Sequence, residues 1–596
     1  MEVKEEPVLP VTSGEATAAL KILQQYVDKN TRDPALLHLI RLQTTLMLTI
    51  ITSMTWKRSM AASATSQGGV WPLPQKIYYG QQNRTLRRDS IVFVFRGIRD
   101  VDCDILNFAR KTYLKEWFFP SKFPTASAGT MTVAIHLHKK CPKIDEFPQQ
   151  DMDEEYRLRV PFTGDVTLDA QEVWGILRGL ETLSHLIFQV QGAFFMRTAT
   201  IHDWPEYPFR GIMLDTSRHY LRKNLLIRQI DLMAQNKMNV LHWHIVDMES
   251  FPYVSKQFPN LDKAGSFTPK HVYTRNTVDE IIKYARLRGI RVMIEFDTPG
   301  HMSSWDGQYQ LLAECRNGTQ FIGAPMIDPT LEQNYVFLEK FFKEVLETFP
   351  EKFIHLGGDE TDYWINFCWE NNPKIQKFMK SRGLQNTTML ENYYYSRLQT
   401  IITDLGGRDP SRRMAFWQEV FQKNNPDPKA IVHVWRGGVM IEKSLVQTLI
   451  ACRYVTFGKS WLIQQATVAG HQVLLSSGWY LNYISYPGPD GPDWKSYYKN
   501  NPREFDGTYE QKQLVLGGVA AIWGEYVDGT NLESTLWPRA SAVAERLWSS
   551  MDTTQNENAA WPRLHEHRCR MIARGFRAEP VNGAGDYCLV EWDDPA

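Results

Sequence analysis

The sequence predicts an α/β protein built around a (β/α)8 TIM barrel, preceded by a smaller α/β domain in which helices pack on a sheet. Two observations lead to this prediction. From Phe209 onward the chain repeats a short apolar run, a polar residue at its carboxyl end and an amphipathic stretch, and eight such runs can be counted. The length of 596 residues leaves room for a barrel of about 250 residues beside a further domain.

The composition is that of a globular protein without a charge bias. Hydrophobic residues make up 43% of the chain, and 67 basic side chains match 67 acidic ones. Because a nucleic-acid binder should show a basic excess, this balance argues against a nucleic-acid partner. The 19 tryptophans provide apolar faces of the kind that sugar-binding sites use, although large cores also accumulate tryptophan. We therefore expect a neutral small molecule or glycan as the partner.

Residues 1–69 are expected to form a leader, either a targeting segment or a poorly ordered helical one. The first ten residues are acidic and polar and lack signal-peptide character. Residues 42–56 carry no charge, but this run of fifteen residues is shorter than the roughly 20 needed to span a bilayer. A signal anchor, a displaced signal sequence and a plain helix all stay open, so membrane contact is expected only through this segment.

Cysteines and glycosylation sequons indicate a secretory compartment. Seven cysteines permit three bridges and one free thiol, and N-x-Ser/Thr sequons begin at Asn83, Asn317 and Asn386. Both features fit an oxidising environment, so we expect a lysosomal or secreted protein with an atypical amino terminus. Pairing of neighbours along the chain leaves Cys452 free and gives the bridges Cys103–Cys141, Cys315–Cys368 and Cys569–Cys588.

Residues 70–205 are predicted to form the accessory α/β domain. Residues 91–95 and 130–136 are rich in β-forming side chains, whereas residues 170–189 have apolar side chains at helical spacing behind Asp169, a plausible helix cap. This region offers no catalytic constellation. Function is therefore assigned to the barrel domain, residues 206–596.

The eight runs of the barrel end in polar or aromatic side chains. They cover residues 211–215, 240–247, 291–297, 353–360, 414–419, 431–435, 473–479 and 519–525. In a (β/α)8 barrel the carboxyl ends of the strands line the active site. The side chains at those ends, and hence the candidates for that site, are Asp215, Asp247, Asp297, Asp359, Glu360, Glu419, Trp435, Trp479 and Glu525.

Two adjacent carboxylates, Asp359 and Glu360, close the fourth run. Neighbours on a regular strand face opposite sides, so they can share a site only if the chain bends there, as Gly357 and Gly358 allow. Ordinary retaining glycosidases need two carboxylates about 5 to 5.5 Å apart, whereas substrate-assisted enzymes use the 2-acetamido oxygen of the sugar as nucleophile. Glu360 suits the proton donor, and Asp359 suits a group that orients the acetamide and stabilises the oxazolinium ion.

A series of sequence motifs runs from about residue 70 to the end of the chain. They are Trp71-Pro-Leu-Pro74, Arg210-Gly211, Leu214 to Tyr220, His242-Trp-His244, Glu295 to His301, His355 to Glu360, Trp479-Tyr-Leu-Asn482 and Leu536-Trp-Pro-Arg539. Through these motifs the chain resembles the glycoside hydrolase family 20 β-N-acetylhexosaminidases, including the lysosomal hexosaminidase subunits of animals. The resemblance implies the (β/α)8 fold and exo-acting, retaining hydrolysis of terminal N-acetyl-β-D-glucosamine or -galactosamine, without a metal or other cofactor.

The resemblance also implies roles for further residues. Arg218, assisted by Glu525, would hold the hydroxyls at C3 and C4, and Tyr480, in one motif with Asn482, would donate to the acetamido oxygen. Asp247, His301 and His244 would support Glu360. Members of the family usually dimerise through the barrel, so a homodimer that acts on N-acetylhexosamine-terminated glycans is expected, and the family's disulfides match the three pairs above. The pocket would be walled by Trp417, Trp435 and Trp523.

Several departures from the family pattern favour neutral substrates. Tyr483 stands where a subunit acting on charged substrates has an arginine, and residues 315–321 lack the Gly-Ser-Glu-Pro stretch associated with activator-assisted ganglioside hydrolysis. Val519 replaces an expected glutamate, Gly437 stands where an acidic residue is common, and the loop at residues 487–492 is longer than usual. We expect these changes to reshape the mouth of the pocket without removing a catalytic group.

Two other functions compete with this interpretation. His242 and His244 lie two residues apart on one strand and so face the same way, as metal-dependent barrel hydrolases require. A complete set of metal ligands cannot be assembled around them, which counts against this reading. The second alternative is a glycan-binding protein that has lost catalysis. The choice between glucosamine and galactosamine, and the natural polymer, stay open at this point.

Overall fold

A computed structural model describes residues 67–582 and Cys588, apart from residues 88–89, 97–102, 120–129, 191–192, 318–319, 322–324, 362–367, 408, 440–455 and 484–491. The proposed leader, except residues 67–69, and Cys452 lie outside the described residues. Within these ranges, no helix is both long enough and apolar enough to cross a membrane.

The amino-terminal part is a mixed sheet with helices. Its elements are β1 (Lys76–Leu86), β2 (Ile91–Arg96), α1 (Asp104–Thr112), β3 (Met131–Leu137), β4 (Tyr156–Val160), β5 (Val166–Ala170), α2 (Val173–His185), β6 (Ile187–Val190) and β7 (Ala193–Asp203). The strand order is β1-β7-β4-β5-β3-β2, with β6 paired to β7. The predicted strands and the predicted helix within residues 170–189 are all present.

Eight parallel strands close the barrel that the sequence predicts, and every one of the eight apolar runs supplies one of them. Each strand pairs with the next barrel strand along the chain, and the last pairs with the first. The barrel strands are β8 (Phe209–Asp215), β9 (Val240–His244), β10 (Arg291–Glu295), β13 (Phe353–His355), β14 (Arg413–Trp417), β15 (Ile431–Val434), β18 (Val473–Leu475) and β19 (Val515–Ile522).

Helices and short hairpins connect the barrel strands, and three further helices follow the last strand. The hairpins are β11 (Arg316–Asn317) with β12 (Gln320–Phe321), and β16 (Gly438–Val439) with β17 (Thr456–Phe457). The helices are α3 (Lys223–Gln235), α4 (Leu261–Gly265), α5 (Arg275–Arg286), α6 (Glu332–Thr348), α7 (Pro373–Arg382), α8 (Thr387–Leu405), α9 (Gln418–Lys423), α10 (Lys459–Val468), α11 (Trp494–Lys499), α12 (Tyr509–Gln513), α13 (Leu532–Leu536), α14 (Arg539–Trp548) and α15 (Glu557–Ala573).

A buried ionic cluster joins the sheet to the barrel. Glu154 accepts hydrogen bonds from Arg178 of α2 at 2.8 Å and from Arg210 of β8 at 2.6 and 2.7 Å. Arg178 also donates to the carbonyl of Gly289, just before β10. Because removing one partner of such a cluster leaves an uncompensated buried charge, the contact ties the two parts firmly together. Arg210 is therefore structural, although it belongs to one of the motifs.

The interior of the barrel is packed with apolar side chains. Phe209, Met213, Met293, Phe353 and Leu474 are among those that fill it, with Trp417 and Trp523 in the same cluster. Val519 lies in this interior and is fully buried, so its replacement of glutamate changes the packed core and not the mouth of the pocket.

Three disulfide bonds, Cys103–Cys141, Cys315–Cys368 and Cys569–Cys588, close loops around this framework. They are the pairs that adjacent pairing predicts. Of the three sequon asparagines, Asn83 on β1 and Asn386 before α8 are exposed, while the side chain of Asn317 lies outside the described part of the chain. Asn386 also caps α8, because its side chain accepts a hydrogen bond from the N–H of Met389.

Candidate active site

The backbone turns sharply where β13 ends, and this turn brings Asp359 and Glu360 to one place. Gly357 and Gly358 both have positive φ angles, of 68° and 98°. A side chain at Gly357 would collide with Asp297, since a Cβ atom there would lie 1.7 Å from the Asp297 Oδ1. Glu360 itself has a φ of 55°, which an L-residue adopts only when its surroundings impose it. The bend that the two glycines were predicted to allow is present.

The two carboxylates differ in environment. Asp359 is buried, with 7% of its surface exposed, whereas the Glu360 side chain is 47% exposed. The Oδ1 of Asp359 has no hydrogen-bond partner among the described residues. Behind it lies Asp297, which accepts the N–H of Gly358 at 2.8 Å. Burial and the Asp359 carboxylate raise the pKa of Asp297 well above its usual range.

His301 faces both carboxylates. Its Nε2 lies 3.7 Å from an oxygen of Asp359 and 3.7 Å from an oxygen of Glu360, and its Nδ1 lies 3.0 Å from Asp247. Burial by itself lowers the pKa of His301, but the carboxylates of Asp247 and Asp359 outweigh it and raise that pKa to about 9. A charged histidine therefore stands behind the acidic pair.

Arg218 is fixed by three carboxylates. Its guanidinium lies 3.1 Å from Asp215, 2.9 Å from Asp247 and 3.0 Å from Glu249. Only 10% of the side chain is exposed, and it lies over the ring of Trp523 at 5.1 Å. A guanidinium held in this way keeps one orientation and can present its remaining N–H groups to hydroxyls.

Aromatic rings line the same end of the barrel. The ring of Tyr480 stacks on Trp435 at 5.8 Å and lies 6.2 Å from Trp523, which is itself 6.2 Å from Trp417. The indole N–H of Trp417 donates to Glu295 at 2.8 Å. Rings that are fixed against one another offer a rigid apolar wall to a pyranose.

Glu419 fixes Trp435 within this wall. Both of its carboxylate oxygens lie 3.1 Å from the indole N–H of Trp435, and Arg436 pairs with it at 2.8 Å. Burial raises the pKa of Glu419 to about 7, although Arg436 opposes the shift.

Three further predicted residues differ in their exposure. Asn482 is half-buried, and its Oδ1 has no partner within the described ranges. Glu525 is exposed and contributes to the field around Arg218. Trp479, in contrast, is fully buried and donates its indole N–H to the carbonyl of Tyr497. Trp479 packs in the main hydrophobic core and not in the cluster that contains Trp417 and Trp523.

Glu295 belongs to this site, although the sequence analysis named it only within a motif and gave it no role. Its carboxylate is fully buried at the end of β10 and lies 2.8 Å from both His242 and His244 and 3.0 Å from His355. The sequence feature that could have revealed it is a charged residue inside the apolar run 291–297. The two histidines of the metal-hydrolase alternative are thus hydrogen-bonded to a carboxylate in the barrel interior.

Paired carboxylates, a clamped arginine and an aromatic wall at the carboxyl end of a (β/α)8 barrel form the arrangement of a glycosidase. Residues 207–551 match the family model described as glycosyl hydrolase family 20, catalytic domain, and residues 70–186 match that described as beta-acetyl hexosaminidase like. The chain belongs to glycosyl hydrolase family 20.

Known proteins agree with this membership. The chain is 45% identical to the beta-hexosaminidase A of Caenorhabditis briggsae, over 89% of this chain and 94% of that one. It is 42% identical to the human beta-hexosaminidase subunit beta, over 90% of this chain and 92% of that one. Among solved structures, the Flavobacterium johnsoniae chitobiase superposes with a TM-score of 0.68 at 28% identity, over 85% of this chain and 73% of that one.

The expected class of activity is therefore confirmed. The protein is a glycosidase of the β-N-acetylhexosaminidase type, a class that releases terminal N-acetylglucosamine or N-acetylgalactosamine by substrate-assisted catalysis. Its partners include N-acetylhexosamine-terminated glycans as substrates.

Proposed function

We propose that Glu360 is the proton donor and Asp359 the residue that orients the acetamide in this hydrolysis. The observation that carries the assignment is the turn after β13, which sets an exposed glutamate beside a buried aspartate with His301 3.7 Å from each. An exposed carboxyl can reach a glycosidic oxygen. A buried carboxylate at the pocket suits an N–H donor from the substrate.

In the first step, protonated Glu360 gives its proton to the glycosidic oxygen while the bond from that oxygen to C1 breaks. The acetamide oxygen attacks C1 from the other face, which forms the oxazolinium ion and releases the alcohol. Asp359 accepts the acetamide N–H and stabilises the positive charge. In the second step, Glu360 takes a proton from water, the water oxygen bonds to C1, and the ring opens to a product of retained configuration.

We assign the remaining groups to substrate binding. Arg218, held by Asp215, Asp247 and Glu249, would donate to the hydroxyls at C3 and C4, with Glu525 accepting from the same hydroxyls. Tyr480 would donate its hydroxyl to the acetamide oxygen, and Asn482 lies two residues further along the same strand end. The wall of Trp417, Trp435 and Trp523 would enclose the acetamide methyl group and the sugar ring.

The natural substrates proposed for this enzyme are neutral glycans. Tyr483, which is 68% exposed, lies parallel to Tyr480 with ring centroids 6.0 Å apart. An uncharged aromatic ring at this position can pack on a neutral sugar but cannot pair with a sulfate or a sialic acid.

An aryl N-acetyl-β-glucosaminide and its 6-sulfated analogue test this preference. We expect kcat/KM to be at least about tenfold higher for the neutral compound, since one missing charge-assisted hydrogen bond is worth about that much. Tyr483→Arg should narrow the difference, and Tyr483→Phe should leave it in place. Equal kcat/KM values for the two compounds with the wild-type enzyme would refute the preference.

A homodimer is the proposed assembly, by analogy with family members that associate through the barrel. Sedimentation velocity on the purified, deglycosylated protein at micromolar concentration should give a mass of two chains. A mass of one chain across the range of concentrations at which the enzyme is assayed would contradict the proposal.

The proposed compartment is the lysosome or the exterior of the cell. The three disulfides and the exposure of Asn83 and Asn386 support passage through an oxidising secretory pathway, where such asparagines can be glycosylated. Asn317 is proposed as a third acceptor from its sequon alone.

A further inference from the structure

His244 lies between two buried carboxylates. Its Nδ1 is 2.8 Å from Oε2 of Glu295, and its Nε2 is 2.8 Å from Oδ2 of Asp247. The three side chains are at most 1% exposed. A neutral imidazole has one N–H, so in that form one of the two contacts would set a nitrogen lone pair against a carboxylate oxygen.

Neither carboxyl group is placed to supply the missing proton. Asp247 also accepts from Arg218 at 2.9 Å, from His301 at 3.0 Å and from the N–H of Met248 at 2.6 Å. Burial alone would raise the pKa of Asp247, but His301 and Arg218 more than offset it and hold that pKa well below its usual range.

Glu295 also accepts hydrogen bonds from other groups. Trp417 donates to it at 2.8 Å, and His242 lies 2.8 Å from the oxygen that faces His244. The Nδ1 of His355 lies 3.0 Å from the other oxygen and itself accepts the N–H of Gly357. Although burial opposes ionisation, the neighbouring histidines keep the pKa of Glu295 well below its ordinary value. Both carboxylates therefore act as acceptors, and both nitrogens of His244 must carry hydrogen.

We propose that His244 is a permanent imidazolium that couples Glu295 in the barrel interior to Asp247, and through Asp247 positions both Arg218 and His301. It is a positioning residue, since it contacts no substrate. The charge state stands on the two 2.8 Å contacts and on the ionised state of both carboxylates, whereas its consequence for turnover rests on the roles proposed above for Arg218 and His301. Without the cation, the anions Glu295 and Asp247 would face each other across the vacated position.

Several charged or titratable groups surround this unit. His242 and His355 face Glu295, Arg218 and His301 face Asp247, and Asp297 lies within the field of both carboxylates. The ring of Trp523 lies 5.0 Å from the imidazole at an interplanar angle of 70°. A cation is well accommodated beside an aromatic ring.

His242 provides a matched control on the same strand. It is fully buried, and its Nε2 lies 2.8 Å from the same oxygen of Glu295, but it does not reach Asp247. Burial lowers the pKa of His242 to about 4, so it donates to Glu295 as a neutral ring. Glutamine can replace a neutral donor, but it cannot replace a cation.

The test compares thermal unfolding of wild type, His244→Gln and His242→Gln from pH 5 to pH 8. In His244→Gln the facing carboxylates should share a proton, so the folded-state pKa of one of them rises above its value in the unfolded chain. Stability linked to such a group is present at low pH and lost as the pH rises through the raised pKa. His244 itself titrates differently in the folded and unfolded chain, so the comparison is made with His244→Gln/Glu295→Gln, which lacks the same histidine and one of the two anions. From pH 5 to pH 8 the Tm of His244→Gln should fall by several degrees more than the Tm of this double variant.

His242→Gln should gain no group with a raised pKa. Because the folded-state pKa of His242, about 4, lies below that of a histidine in the unfolded chain, removing His242 only relieves a destabilisation of wild type at low pH. The difference in Tm between His242→Gln and wild type should therefore change below about pH 6.5 and stay constant from there to pH 8. Parallel Tm curves for His244→Gln and His244→Gln/Glu295→Gln from pH 5 to pH 8 would overturn the charge assignment.

Two further measurements complete the test. In wild-type protein labelled with 15N-histidine, His244 should carry two ring protons from pH 5 to pH 8, and a single proton would overturn the imidazolium whether or not the variants fold.

The kcat/KM of folded His244→Gln, relative to wild type, should fall further at pH 8 than at pH 5. An unchanged ratio would refute the positioning role, while the unfolding and NMR results, which need no substrate, would still decide the charge.

Discussion

Glu360→Gln is expected to lose turnover by about 10²- to 10⁴-fold while it still binds N-acetylglucosamine. The amide keeps the size of the side chain and its place 3.7 Å from His301 but has no proton to give to the leaving oxygen. The loss should appear in kcat, with a smaller change in the dissociation constant of the product. The measurement is release of an aryl chromophore together with calorimetric binding of N-acetylglucosamine.

The leaving group sharpens this prediction. Because an acidic phenol departs without protonation, substrates with strongly activated aryl groups should lose less turnover in Glu360→Gln than oligosaccharides do. Glu339→Gln, an exposed glutamate on α6, is the matched control and should behave as wild type. Undiminished turnover in Glu360→Gln would remove Glu360 from the role of acid. Binding without turnover in the wild-type protein would instead favour the glycan-binding alternative.

The barrel could be predicted from the sequence because its signal is local. Each strand is an apolar run buried on both sides, and each ends in a polar residue that parallel pairing sends to the same rim. The turn at Gly357 and Gly358 was equally accessible, since two adjacent carboxylates can share a site only if the chain bends there. The roles expected for Arg218 and Tyr480 come only from the family resemblance, because an arginine or a tyrosine at these positions would not by itself indicate substrate binding.

The sequence does not show which way a side chain at a strand end faces. Trp479 closes an apolar run as Trp435 does, yet its ring lies in the core and donates to Tyr497. Whether a tryptophan at a strand end faces the mouth or the helices depends on the stagger of neighbouring strands, which is a non-local property. Val519 shows the same limit, because its place in the packed interior follows from the closure of β19 against β8.

The sequence also did not predict the buried polar network. In the sequence Glu295 is a single charged residue within an apolar run, whereas in the structure its carboxylate forms hydrogen bonds with His242, His244 and Trp417. A buried carboxylate requires donors, so its presence predicts partners, although not which ones. These come from β9 and β14, which are far apart in sequence and bring their side chains together only in the interior of the folded barrel.

Asp359→Asn should lower kcat by about 10²- to 10³-fold, the cost of removing one preorganised electrostatic contact to a charge that forms in the transition state. The asparagine fits the same space between Asp297 and the pocket, but it presents no negative charge to the acetamide N–H or to the oxazolinium ion. Loss of binding to the ground-state sugar should be smaller, because the neutral acetamide gains less from that charge than the cation does.

A stable thiazoline analogue of the cyclic intermediate separates this role from that of the acid. Its ring nitrogen occupies the position of the acetamide nitrogen, so Asp359→Asn should bind it much more weakly than wild type, whereas Glu360→Gln should bind it nearly as well. Full activity in Asp359→Asn would contradict the orienting role. Equal weakening of the thiazoline and of N-acetylglucosamine would do so as well, since a carboxylate that acts on the intermediate must discriminate between them. The two adjacent carboxylates thus make separable contributions: Glu360 moves a proton, and Asp359 holds a nucleophile that belongs to the substrate.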